Sequence, residues 1–212
     1  PLRVQPGDGP FRGTVATYAI GAIHVAAIHS DPVRVARTTR LIRAADPGFL
    51  KLVLQISGES TVWQGGRQAL LGPGDLALYD TSQPYELDFG GAFHTVVMMF
   101  PRRMLAVSDR QRNCASVRRI PGSEGLGSVL SPLVLRVGSD PACAAAGMHL
   151  GVAALELLAA AIVEQTGSTT APIGSRSQRA ALTRTIKEHI EERLPDPGLC
   201  AAGIAAAHHS SV

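Results

Sequence analysis

Cysteine is scarce. Cys114, Cys143 and Cys200 are the three in the chain, odd in number and far apart, with no CxxC among them. That spacing argues against a disulfide framework and for a reducing compartment, with the cytoplasm as the expectation. Long apolar runs are missing too. The most apolar segment, residues 150–163, is shorter than a bilayer span and carries Glu156, so no membrane partner is expected. The first residues lack the basic start and apolar block of a secretion signal. The chain begins at Pro1 without methionine, so a preceding piece is an expectation. No GxSxG nucleophile elbow and no GK[ST] phosphate loop occurs. Cys114 sits among arginines that would favour its thiolate, but nothing near it in sequence offers a base. No catalytic residue is assigned, and the expectation is a protein that is not an enzyme.

Clustered metal ligands are also lacking. A mononuclear site needs three or four converging donors. His24 and His29 are five apart, which on a strand sends them to opposite faces. His94 stands alone between residues 50 and 100, and Asp75 has no histidine beside it. His208-His209 reads as part of a turn. Neither a metal nor a cofactor is expected. The net charge of +3 is mild. Arg102, Arg103, Arg110, Arg112, Arg118 and Arg119 crowd together, and the reading favoured for them is a solvated surface rather than a nucleic-acid contact.

What the chain does have is a run of short apolar segments, from Leu50 to Phe100, punctuated by turn signals. Leu50–Ile56, Thr61–Gln64, Gln68–Leu71, Leu76–Asp80, Tyr85–Phe89 and Phe93–Phe100 read as strands. Glycine pairs and Gly72-Pro73-Gly74 separate them, and Pro73-Gly74 predicts a type II turn. Tyr85, Leu87 and Phe89 alternate with Glu86 and Asp88, so one face is buried and one is wet. Upstream, Pro1–Pro10 reads as loose, Thr14–Ser30 as two strands around Gly21, and Val33–Ala44 as an edge strand ending before an Asp46-Pro47-Gly48 turn. Seven to nine strands suit a closed or nearly closed barrel.

After Pro101 the period lengthens to about 3.6 residues. Arg102–Arg110 predicts a short helix. Ser123–Val137 predicts another, with Leu126, Val129, Leu130, Leu133 and Val137 on one face and a bend at Pro132. A third starts at Ser139-Asp140-Pro141, where Asp140 can cap, and runs to about Gln165. Met148, Val152, Leu155 and Ile162 form its stripe, and Gly147, Gly151 and Ala154 allow close approach. Such helices serve equally well to cover the barrel or to form a dimer interface.

The run GGRQALLGPGDLALYDTSQPYELDF resembles the cupin-type sensor domain of AraC/XylS-family transcription regulators, with the likeness extending from about Tyr18 to Gln165. That resemblance implies an effector-binding barrel and a homodimer formed through the helices. Residues 166–176, polar and small, read as a linker. The segment IKEHIEERLPDPGLCAAGIAAAHHSSV resembles the opening of the family's helix-turn-helix DNA-binding domain. Leu199 and Ile204 match its apolar anchors, Ala205 its small crossing residue and Ser211 an N-cap, while Ser210 and Gly203 depart from the pattern. The recognition helix would begin at Ser211, so DNA is expected as a partner of a longer parent and not of residues 1–212.

The reading is therefore an α+β chain. A cupin-like antiparallel barrel occupies residues 1–100, a helical appendix 101–165, a linker 166–176, and the truncated start of an all-α helix-turn-helix domain 177–212. Gln55, Trp63, Tyr79, Tyr85 and His94 are the candidate contacts for a small-molecule effector, because barrel mouths are common ligand sites. A cupin-type enzyme and a ligand-free dimerisation module are the alternatives.

Overall fold

Alternation at a period of two builds eleven strands among the described residues. They are β1 (Arg3–Pro6), β2 (Gly13–Ile20), β3 (Ile23–Ser30), β4 (Val33–Arg37), β5 (Phe49–Ser57), β6 (Ser60–Gln64), β7 (Arg67–Leu71), β8 (Leu76–Asp80), β9 (Tyr85–Phe89), β10 (Phe93–Pro101) and β11 (Arg119–Ile120). The computed structural model describes residues 2–7, 9–45, 48–139 and 144–167, with backbone alone at 144–147. By contacts the chain divides into two units, Pro1–Ser168 and Thr169–Val212. The expected Asp46-Pro47 turn, the Asp140 cap, most of the linker and the whole helix-turn-helix segment, with Leu199, Ile204, Ala205 and Ser211, lie outside the described residues.

Two antiparallel sheets result. One has the order β1-β4-β9-β6-β7 and the other β11-β8-β5-β10-β3-β2. The barrel is thus a pair of facing sheets with free edges. At its tightest turn Gly74 takes φ +90° and the Asp75 N–H donates to Gly72 O at 3.0 Å, the type II geometry expected of Pro73-Gly74.

Three expectations change. The first residues are not loose throughout: β1 pairs with β4, which moves β4 from the edge to the sheet interior. Unpaired backbone groups on a strand edge accept any extended segment, whatever its side-chain pattern. The segment expected to be one strand to Ala44 ends at Arg37, and Thr39–Ala44 forms helix α1. The Val33–Val35 start favours a strand, whereas Arg40-Leu41-Ile42-Arg43-Ala44 is made mainly of good helix formers. The helix expected over Arg102–Arg110 is a single 3₁₀ turn, Arg102–Met104, followed by α2 (Asp109–Ala115). Ser108 and Gln111 form a reciprocal capping box that fixes the start of α2.

Two longer helices, α3 (Gly127–Ser139) and α4 (Ala144–Thr166), lie on the six-stranded sheet. Alternation in β5 shows how that sheet is used. Leu50, Leu52 and Leu54 face the helices, where they join Val96, Met98 and Phe100 of β10 and Leu130, Val134 and Val137 of α3. Val53 faces inward with Val97 and Tyr79, against Val62, Leu71, Tyr85, Leu87 and Phe89. The middle of the sheet is buried on both sides, so β8 is buried along its whole length, while the edge strand β2 is mostly exposed.

The helix stripes are correspondingly adjusted. Val129, expected inside, is exposed, and Val134 takes the core position, because 100° per residue carries Val129 off the face held by Leu130 and Val137. On α4, Leu155 and Ile162 are core residues of this chain, whereas Met148 and Val152 are exposed. The segment Met148–Thr166 has the length and apolarity of a bilayer span, contrary to the shorter run read from sequence. Its apolar face includes Ala154, Leu155, Leu158 and Ile162, which seal the sheet.

Gly138 marks a close approach of α3 to the sheet. A Cβ there would lie 2.4 Å from Val96 Cγ2. Val96 is β-branched, so its side chain has little freedom to yield. Helix propensity alone would favour Gly138→Ala by about 1 kcal/mol. The overlap reverses the sign, and the substitution is predicted to destabilise by about 1–3 kcal/mol in urea unfolding. Gly90→Ala, at a site with nothing within 4 Å, serves as the neutral control.

Candidate functional site

Two rows of side chains meet at one end of the space between the sheets. On the six-stranded sheet Lys51 of β5 sits in register with Tyr79 of β8 and Met99 of β10. On the other sheet Tyr85 of β9 sits in register with Arg37 of β4 and Gln64 of β6. Side chains directly opposite on neighbouring strands share a face, so each row is continuous. Tyr79 and Tyr85 touch across the gap with ring centroids 4.8 Å apart. The Lys51 ammonium lies 6.0 Å from the centre of the Tyr85 ring.

A cavity of about 290 Å³ opens here, lined in part by Arg37, Phe49, Lys51, Thr81, Tyr85 and Met99. No described lining residue carries a carboxylate. A second cleft of about 480 Å³ shares Arg37 and Tyr85 and adds Trp63 and Pro84. A cleft of about 700 Å³ along Arg67, Gln68 and Arg118 is larger, but those three side chains are exposed and give it a wet wall.

Burial sets the chemistry of the smaller cavity. Lost hydration, and secondarily the Arg37 charge, lower the Lys51 ammonium to about 8. Burial pushes the Tyr85 phenol up to about 12 against the opposing pull of Arg37, so the phenol stays protonated. Its hydroxyl is buried and has no hydrogen-bond partner among the described residues. Burial, then the neighbouring Tyr85, also raises Tyr79 well above the usual phenol range. Arg37 is anchored by donating from Nε to Thr81 O at 2.8 Å and from Nη2 to Ala45 O at 2.7 Å.

Of the candidate contacts named from sequence, Tyr79 and Tyr85 meet at this end, and Trp63 joins Tyr85 in the adjoining cleft. Trp63 is half-buried and donates from Nε1 to Gln68 Oε1 at 3.0 Å. Gln55 does not join them. It is fully buried, donates to Ser57 O at 2.8 Å and accepts from Ser60 Oγ at 2.8 Å, so both ends of its amide brace the β5–β6 turn. His94 is also elsewhere, five residues along β10 from Met99 and hence roughly 17 Å away. It is not solitary. It stacks on His29 of β3 at 3.5 Å, and burial first, then His29, lowers its pKa. His24, on the opposite face as its spacing predicts, meets Phe49 edge-on.

Sequence reading missed Lys51 and Arg37. A signal for Lys51 was present: it interrupts an apolar strand, and in a chain with 20 basic residues Lys51 and Lys187 are the lysines. Among the described residues no group of three or more His, Cys, Asp or Glu side chains is placed to hold a metal. Asp75 accepts from Arg119 Nε at 2.7 Å and from the Gly72 N–H at 3.0 Å, and thereby ties β11 to the β7–β8 turn. Most of the arginine cluster is likewise spent inside the chain. Arg102 pairs with Asp80 at 2.8 Å, Arg112 with Asp109, and Arg118 reaches Gln165 O at 3.5 Å, while Arg103 and Arg110 are exposed.

The AraC-binding-like domain family matches residues 1–163, which take in both sheets and all but the end of α4. The chain belongs to this family. This AraC-type regulator sensor domain is similar to an uncharacterized protein in the nit 5′ region of Bacillus sp. (strain OxB-1), at 30% identity over 194 residues, 89% of this chain and 74% of that protein. It is also similar to the transcriptional activator NphR of Rhodococcus sp., at 29% over 192 residues, 88% of this chain and 56% of the activator. In fold it matches the AraC-like transcriptional activator CuxR, with a TM-score of 0.68 at 15% identity, over 99% of this chain and 76% of that one.

Lys51 makes the sensor domain's stability depend on pH with a defined sign. A base whose folded-state pKa is depressed costs stability wherever both states are protonated. The cost is full below about pH 8 and fades as pH rises toward the ordinary value of 10.5. Lys51→Met is predicted to raise unfolding free energy at pH 7 by about 1–3 kcal/mol, with most of the gain gone near the ordinary lysine pKa. Urea unfolding of both forms at the two pH values measures this. An equal gain at both would contradict a desolvated ammonium.

Proposed function

We propose that this chain is the sensing part of a cytoplasmic, non-enzymatic, homodimeric transcription regulator, with a small effector bound at the barrel end beside Lys51 and Tyr85. The observation that carries the reading is the 290 Å³ cavity between the sheets, whose lining includes Lys51, with its desolvated ammonium, and Tyr85, whose buried hydroxyl has no hydrogen-bond partner among the described residues. A buried polar group without a partner costs about 1–3 kcal/mol, which a bound ligand would relieve. The similarity to NphR, a transcriptional activator, supports DNA as the downstream partner. DNA contact would fall to the helix-turn-helix proposed to start at residues 177–212, supported by Leu199, Ile204, Ala205 and Ser211.

Coupling follows from the two-faced sheet. Lys51 and Met99 line the cavity, and their strand neighbours Leu50, Leu52, Met98 and Phe100 carry the helices on the opposite face. A ligand that shifts β5 or β10 favours one helix arrangement over another, in proportion to its differential affinity for the two. The helices would pass that preference to a dimer partner. Met148 and Val152 are the exposed apolar residues of α4 offered for that contact, while Leu155 and Ile162 are held in the core.

Two measurements test these points. Met99→Trp fills the cavity and is predicted to abolish the thermal stabilisation given by any small molecule that binds the wild-type chain, since a native-state ligand must raise stability. Binders that stabilise Met99→Trp as well as wild type would contradict the barrel site. Val152→Glu, at an exposed position, is predicted to leave circular dichroism unchanged and to shift sedimentation from dimer to monomer. Leu155→Glu is predicted to unfold the domain, because it places a charge in the core.

A further inference from the structure

We propose that the barrel-end site selects a compact organic anion, an apolar body carrying one oxyanion, with Lys51 as the charge partner and the Tyr85 hydroxyl as the second donor. This rests on the reading of the cavity as the effector site and adds the chemical class.

Three features of the site point the same way. Apart from Thr81, whose hydroxyl donates to Phe49 O, the polar side chains of the lining supply donors and positive charge: Lys51 from β5, Arg37 from β4 and Tyr85 from β9. The Lys51 ammonium makes no hydrogen bond to a described residue, and its neighbour is the Tyr85 ring at 6.0 Å. The Tyr85 hydroxyl is buried and unpartnered among the described residues. A phenol that stays protonated donates to an anion, and an ammonium taken from water is stabilised most by a negative charge brought to it. A neutral ligand could satisfy the hydroxyl but would leave the ammonium desolvated.

Size and polarity restrict the body of the ligand. At about 30 Å³ per water, 290 Å³ holds roughly ten non-hydrogen atoms. Phe49 and Met99 supply apolar wall, which favours a ring or short chain over a sugar. Arg37 is held by the carbonyls of Thr81 and Ala45, so it acts as a fixed positive wall, and Lys51 is the side chain able to reach. Lysine suits this role: its charge is compact and its stem flexible, and its protonation responds to the ligand. Among the described residues, the groups facing it from neighbouring elements are Arg37, Tyr79 and Tyr85, with His24 beyond Phe49. None of them is acidic.

The test uses the 212-residue chain and paired probes of equal shape: benzoate against benzamide, and hexanoate against hexanamide, with inorganic phosphate and chloride as simple anions. Binding is measured by calorimetry and thermal shift. The expected result is that at least one carboxylate binds at least about tenfold tighter than its amide. Lys51→Met should lose that preference while remaining folded, Lys51→Arg should keep part of it, and Tyr85→Phe should weaken the acid about threefold to tenfold. Affinity for the acid should fall as pH rises from 7 to 10. Amides binding as well as acids, or a preference that survives Lys51→Met, would overturn the anion assignment and leave the barrel site standing. Binding of acids that persists in Met99→Trp would overturn the site itself. Absence of binding by every acid would overturn the proposal, as would equal binding by phosphate and chloride, which marks a surface ion site.

Discussion

A six-stranded sheet whose central strands β5, β8 and β10 are buried on both faces dictates most of this structure. Its inner surface needs a second sheet, which the five strands β1-β4-β9-β6-β7 supply, and its outer surface needs helices, which α3 and α4 supply. Hydrophobic burial rewards both coverings at roughly 25 cal/mol for each Å² removed from water. Close packing then fixes details far from any site. Gly138 lies on Val96 and Gly151 on Ile23, at distances a side chain would violate. The apolarity of α4 has the same origin. A helix that seals a sheet inside a protein and one that crosses a bilayer draw on similar residues, and Leu155, Leu158 and Ile162 here face strands.

The same constraint gives Lys51 its meaning. Strand parity sends Leu50 and Leu52 to the helices and Lys51 inward, between Tyr79 and Met99. An apolar residue there would extend the core at no electrostatic cost. Instead the position holds an ammonium whose charged form is disfavoured by burial and by Arg37. A cost of that kind is tolerated by a fold whose two large cores supply the stability, and under the proposed anion binding it is recovered when a complementary charge arrives. The proposed signal transmission needs no separate device, because the wall of the cavity is the reverse side of the surface on which the helices rest.

Much of the fold was legible in the residues. Glycine pairs and Pro73-Gly74 set the hairpins, and six strands between Leu50 and Phe100 fall within a residue or two of where alternation puts them. Strand β1 was not legible, since Arg3–Pro6 is recruited by an edge and has no pattern of its own. Pro101 suggested a helix start, while the operative signal was the Ser108–Gln111 capping box. At the site, Tyr79 and Tyr85 were legible as aromatics at inward strand positions. Gln55 and His94 were not excluded by sequence, because only the register shows the amide turned to Ser57 and Ser60 and the imidazole stacked on His29. Lys51 was passed over because lysine normally lies at the surface.

Lys51 and Lys187 being the lysines of the chain, selective ¹⁵N labelling of lysine side chains yields two signals to assign, and a Lys51→Met spectrum assigns them. The titration midpoint of the Lys51 signal tests the central claim most directly. Desolvation at the barrel end predicts a midpoint near 8, well below the ordinary value of 10.5, moving upward when a bound carboxylate supplies the missing charge. A midpoint at the ordinary lysine value, unmoved by any carboxylate, would place the ammonium in water and contradict the account.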